Sequence, residues 1–172
     1  MIEVRVQSLG IDQASKTPVV ILQELDGERV LPIWIGPGEA SAIAMELAGM
    51  KFSRPLTHDL AASLIRGLGG ALSRVAITSV QQNTYYAELV ILRGSEVLSV
   101  DARPSDSIAI ALRLQAPLYV SDELLGTGTL QMQEGDSAPE PQPGSESESL
   151  SAEQLQEYLR KLNPEDLGRF NP

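Results

Sequence analysis

Residues 101–113 read Asp101-Ala-Arg-Pro-Ser-Asp-Ser-Ile-Ala-Ile-Ala-Leu-Arg113, and they carry the end of an apolar strand into an amphipathic helix. Two carboxylates, a guanidinium and two hydroxyls fall within the first seven of these residues. The segment has a copy upstream at a constant offset of 67 residues, without a gap. Gly27 falls on Gly94, Val30 on Val97, Leu31 on Leu98, Ile33 on Val100, Pro37 on Pro104, Glu39 on Asp106, Ile43 on Ile110 and Leu47 on Leu114. One supersecondary unit therefore occurs twice, and the second copy holds most of the polar chemistry.

The elements follow from pattern. Residues 2–13 alternate as a strand. Residues 18–25 and 29–35 flank Asp26-Gly27, a two-residue hairpin signal. Pro32 sends the second of these strands toward an edge or a bulge. A helix is expected over 38–49, with Ala40, Ile43, Ala44 and Leu47 on its apolar face and Gly49 stopping it. The second copy has strands at 73–81, 84–92 and 96–102, then a helix from Pro104. Proline suits that first position because its missing N–H would be unpaired there anyway. The acid two residues later, Glu39 or Asp106, suits the helix dipole. Residues 117–120 add a short strand. Between the copies, Phe52–Asp59 leads into a helix over 58–67, with Thr57 as its N-cap and an apolar face of Leu60, Leu64, Ile65 and Leu68.

The chain of 172 residues has no cysteine, which excludes disulfides, thiolate metal sites and a cysteine nucleophile. Residues 1–125 hold ten Lys and Arg against fourteen Asp and Glu; residues 126–172 hold three against nine, so the tail carries most of the net charge of −10. Neither part has the basic stripe of a tight, sequence-specific nucleic-acid binder. No signal peptide or membrane-span pattern is present, and a cytoplasmic protein without membrane partners is expected. P-loop, GxGxxG, HExxH and GxSxG motifs are absent as well. Residues 131–149 have the Glu/Pro/Ser/Gly composition of a disordered linker. Residues 150–172 open on a capping box at Ser151–Gln154 and continue with a stripe of Leu155, Tyr158, Leu159 and Leu162. They read as a short docking helix and, with an edge strand near residue 32, favour a homo-oligomer, a dimer first.

Arg54-Pro-Leu-Thr-His-Asp59, the Tyr85-Tyr-Ala-Glu-Leu89 strand and Asp101-Ala-Arg-Pro-Ser-Asp106 with its Ala/Ile helix resemble the bifunctional nuclease domain family, over about residues 1–130. The resemblance implies an α+β fold of duplicated β-β-β-α units, with mixed or antiparallel sheets packed on helices. It also implies hydrolysis of DNA and RNA, taken as transient partners. It brings no assigned catalytic set, so the candidate residues come from their chemistry.

His58, the only histidine, is a candidate general acid/base. Equally, it is a first-turn residue pairing with a neighbouring carboxylate or carbonyl. Asp59 and Asp101 join it as catalytic candidates. Arg54 and Arg103 are candidates for phosphate, Arg103 through a bidentate fork, with Thr57 and Ser105 as further substrate contacts. Asp101 and Asp106 are candidate ligands for Mg²⁺ or Mn²⁺. Helix-start duty accounts for Asp106, since Glu39 matches it, but not for Asp101, which falls opposite Trp34. Arg54, His58 and Asp59 are expected beside Asp101, Arg103 and Asp106. Glu39 and Glu46 read as exposed helix acids, and Trp34 as packing. The competing function is a non-catalytic interaction protein whose polar clusters lock the two halves together.

Overall fold

The computed structural model describes residues 1–126; the expected linker at 131–149 and helix at 150–172 lie outside the described residues. The two copies appear in full. The first runs β1 (Ile2–Ile11), β2 (Pro18–Glu24), β3 (Val30–Trp34) and α1 (Pro37–Leu47). The second runs β4 (Ala71–Gln81), β5 (Thr84–Arg93), β6 (Glu96–Ala102) and α3 (Pro104–Leu114). The two helices start and stop at the 67-residue offset. Between the copies lies α2 (Thr57–Gly67), and after them come β7 (Leu118–Val120) and a helical turn at 122–126.

All seven strands form one mixed sheet in the order β3-β2-β1-β7-β4-β5-β6. β7 pairs antiparallel with β1 and parallel with β4, so the two β-β-β halves flank it in opposite directions. That order is what a two-fold axis roughly normal to the sheet at β7 generates. α1 and α3 pack on each other, and α3 also packs on α2, β4 and β5. The core is aliphatic: Val20, Leu22, Ile43, Val75, Ile77, Ile108 and Val120 are fully buried. Burying such a side chain contributes roughly 1.5–3 kcal/mol. No described helix is long and apolar enough to cross a membrane.

Two local expectations need correction. The β2–β3 connection spans residues 25–29 and not a two-residue turn, and Gly27 does not adopt positive φ. A clamp closes it instead: Glu24 N–H donates to Arg29 O, and the Arg29 guanidinium returns to the Glu24 carboxylate, each at 2.9 Å. The two-residue hairpins are Gln82-Asn83, both at positive φ (49° and 60°), and Gly94-Ser95 with Gly94 at 61°.

The second correction concerns α2. Leu60, Leu64 and Leu68 point outward, 51%, 55% and 70% exposed, so of the expected apolar face only Ile65 packs inward. The helix packs through Ile65 together with Ala61 and Ala62. Small residues let it approach α3 closely, which turns the leucine stripe away. Its N-cap is Leu56 and not Thr57, because the Asp59 carboxylate already takes the Leu56 N–H at 2.8 Å.

Candidate functional site

Two linked ion-pair sets share the start of α2, one reaching the starts of α3 and α1 and the other the last turns of those two helices. In the first, His58 Nε2 lies 3.0 Å from Asp106 Oδ1. Arg103 grips the same carboxylate through Nε at 2.7 Å and Nη2 at 3.2 Å, and reaches Glu39 Oε1 through Nη1 at 2.8 Å. In the second, the Arg113 guanidinium donates to Asp59 Oδ1 and to the carbonyls of Ala109 and Ala42, with Glu46 at 3.8 Å. His58 and Asp59 are neighbours on α2, so one helix start joins the two sets.

The protein holds these groups at different exposures. The Arg113 side chain is only 6% exposed, whereas Arg103 is 66% exposed. His58 and Asp106 lie between, at 15% and 28%. Burial pushes the Asp106 carboxyl up, but the bonds from Arg103 and His58 outweigh it and hold it below the ordinary carboxylate range. The Arg113 bond, helped by the Leu56 N–H, lowers Asp59 against its own desolvation. Arg103 is in turn held more firmly cationic by Asp106 and Glu39.

The expected gathering of six residues forms in part. His58, Asp106 and Arg103 come together directly, and Asp59 lies beside them but serves Arg113. Asp106 therefore does more than start its helix: α3 has no side-chain cap bond, and the carboxylate goes to His58 and Arg103. Asp101 stands apart. Ala102 pairs with core-facing Ala87 and Asp101 with Glu88, so strand alternation turns Asp101 to the sheet face away from α3. Asp101 and Asp106 thus do not fit one shared divalent cation. Among the described residues no three His, Asp or Glu cluster with metal-site geometry. Arg54 and Thr57 are exposed in the entry to α2, and Ser105 is only 7% exposed.

Arg113 carries no evident role in the sequence, and Glu39 and Glu46 are expected as exposed helix acids. Both acids are interhelix partners instead, 23% and 26% exposed. A signal was available at the 67-residue offset, where Glu46 falls on Arg113. Opposite charges at matching positions of two helices packed across a pseudo-two-fold axis are placed to meet. Trp34 is not simply packed either. It is 47% exposed, its Nε1–H donates to Asp12 Oδ2 at 3.1 Å, and it borders a pocket of about 250 Å³. That pocket lies between the end of β3, the Gln82-Asn83 hairpin and the start of α3, and Arg103 and Ser105 line it.

The family model for the bifunctional nuclease domain matches residues 20–133. An uncharacterized protein of Mycobacterium tuberculosis is 42% identical over 164 residues, covering 95% of this chain and 96% of that protein. A bifunctional nuclease of Oryza minuta is 25% identical over 162 residues, 92% of this chain but 46% of its own length. Bifunctional nuclease 1 of Arabidopsis thaliana is 26% identical over 133 residues, 75% of this chain and 41% of its own. The duplicated fold, the matched domain and the full-length relative agree: this chain belongs to the bifunctional nuclease domain family.

Proposed function

We propose that the chain hydrolyses phosphodiester bonds of DNA and RNA with low sequence specificity, using the His58–Asp106–Arg103 set. The observation that carries this reading is the 3.0 Å contact between His58 and a carboxylate also held by an exposed arginine. Asp106 orients the imidazole: with Nε2–H donating to Oδ1, the lone pair sits on Nδ1, ready to take a proton from an attacking water. Of the five guanidinium N–H groups of Arg103, bonds to Asp106 and Glu39 use three, which leaves two for a phosphate oxygen. Arg54, exposed and without a side-chain partner among the described residues, supplies a second cation for the backbone. Thr57 and Ser105 offer hydroxyls on either side. Asp59 positions the start of α2 through Leu56 and Arg113, and Asp101 has no part.

The scaffold reading explains the nearly buried Arg113 set, which ties three helices together. It does not explain why Arg103 stays open to solvent beside a pocket. The deciding experiment incubates the full chain with single- and double-stranded DNA and with RNA, in Mg²⁺, Mn²⁺ or EDTA. Wild type, Asp106→Asn and Asp101→Asn are compared. Cleavage is expected to fall in Asp106→Asn and to persist in Asp101→Asn. Equal cleavage by all three would remove this site from the reaction, and no cleavage under any condition would leave only the scaffold reading.

A further inference from the structure

The pocket at the start of α3 has a composition that the His58–Asp106 dyad alone does not require. Trp34 and Tyr85 border it on opposite strands, Arg103 stands beside it, and Asn83 comes from the hairpin tip. Tyr85 is half-buried, and desolvation pushes its phenol up. Ser105 is 7% exposed and lines this pocket, and its hydroxyl makes no side-chain hydrogen bond within the described residues. That hydroxyl is available to bond the polar edge of whatever enters the pocket. At about 250 Å³ the space falls below the roughly 300–1,000 Å³ of sites for drug-sized ligands. It suits one flat, polar-edged ring and not a longer unit.

We infer that this pocket takes one unpaired nucleobase of a single-stranded polynucleotide, whose adjoining phosphate lies on Arg103. The inference rests on the nuclease reading of the neighbouring dyad and names its substrate form. Aromatic rings stack on any base, so the pocket is tolerant of sequence. Ser105 and Asn83 provide a hydroxyl and an amide for base edges. Arg103 belongs to both the pocket and the dyad, so a base seated here brings its own phosphate to His58. A base inside a duplex cannot enter without leaving its stack, which costs a few kcal/mol that a single strand does not face. Glu39, bound to Arg103 at the rim, disfavours phosphate that lacks a base to anchor it.

Trp34 is the only tryptophan, so its fluorescence reports on this pocket directly. The full chain is titrated with a short phosphorothioate single strand, the matching duplex, a free 5′-mononucleotide and inorganic phosphate. Anisotropy of a labelled strand then measures Trp34→Leu and Ser105→Val, with Asn83→Gly as a variant that keeps the positive-φ turn and cannot fail for backbone strain. The single strand is expected to quench Trp34 saturably and to bind roughly tenfold or more tighter than the duplex. Trp34→Leu and Ser105→Val bring its affinity down to the duplex level, and Asn83→Gly weakens it. Equal binding of strand and duplex overturns the inference. So does a mononucleotide or phosphate that binds as tightly as the strand, or variants that bind as wild type does. If cleavage persists without this binding pattern, the pocket inference falls and the nuclease reading stands. If the binding pattern holds without cleavage under any condition, the nuclease reading falls and the pocket stands.

Discussion

Replacing Arg113 by leucine should destabilise the fold more than any other single change in the two ion-pair sets. The guanidinium is 6% exposed and satisfies the Asp59 carboxylate and the carbonyls of Ala42 and Ala109, which lie on three different helices. Breaking a buried ion pair from one side costs about 3–5 kcal/mol, because the remaining charge is left unpaired. Asp59 is 31% exposed and can recover water, so the cost falls to the bottom of that range or just below it, about 2–3 kcal/mol. A conventional urea slope of roughly 1–3 kcal/mol per M turns this into a midpoint shift on the order of 1–2 M. Equilibrium urea unfolding followed by far-UV circular dichroism measures it. Asp59→Asn and the double variant Asp59→Asn/Arg113→Leu complete a cycle, in which the double should cost less than the two singles together. A loss below about 0.5 kcal/mol for Arg113→Leu, the range of ordinary surface changes, would refute the claim that this arginine ties the helices.

Other outcomes follow from the same geometry. Gly94 sits at φ +61° with open space around its absent Cβ, so Gly94→Ala should cost only the left-handed backbone penalty, about 1–2 kcal/mol, read as a shifted urea midpoint. Asp59 and Asp106 both have folded pKa values below the ordinary 3.8, so their stabilisation is present above that value and is lost as pH falls through it and beyond. The urea midpoint of wild type should therefore drop between about pH 6 and pH 3, and Asp59→Asn should show a smaller drop. Arg103→Lys keeps the charge but not the fork, and should weaken strand binding by roughly tenfold while leaving the urea midpoint nearly unchanged, since the side chain is 66% exposed.

The fold was legible because duplication doubles the signal. Pro37 and Pro104 each open a helix, the apolar periods agree, and a fixed offset places every strand of one copy on a strand of the other. Side-chain partnerships were less legible because they depend on how the copies pack. Asp106 looked like a helix-start acid while its match, Glu39, was the only guide; only the arrival of α2 gives it His58. Asp101 looked functional because Trp34 stands at its match, yet the two-residue period of β6 carries it to the far face. The leucines of α2 satisfy a helical period and still face outward, since periodicity marks an apolar arc without saying which neighbour covers it. Trp34 shows the same limit: an aromatic residue at the end of a strand is as often core as rim, and only the hairpin at Gln82-Asn83 makes it the border of a pocket.

The most direct test of the account is the cleavage rate of a labelled single strand by His58→Ala beside wild type, at equal concentrations of full-length, folded protein. General acid–base catalysis by a positioned side chain is worth about 10²–10⁴-fold, and a loss of that size is predicted. Equal rates for the two proteins would show that His58 moves no proton in the reaction and would contradict the site as assigned.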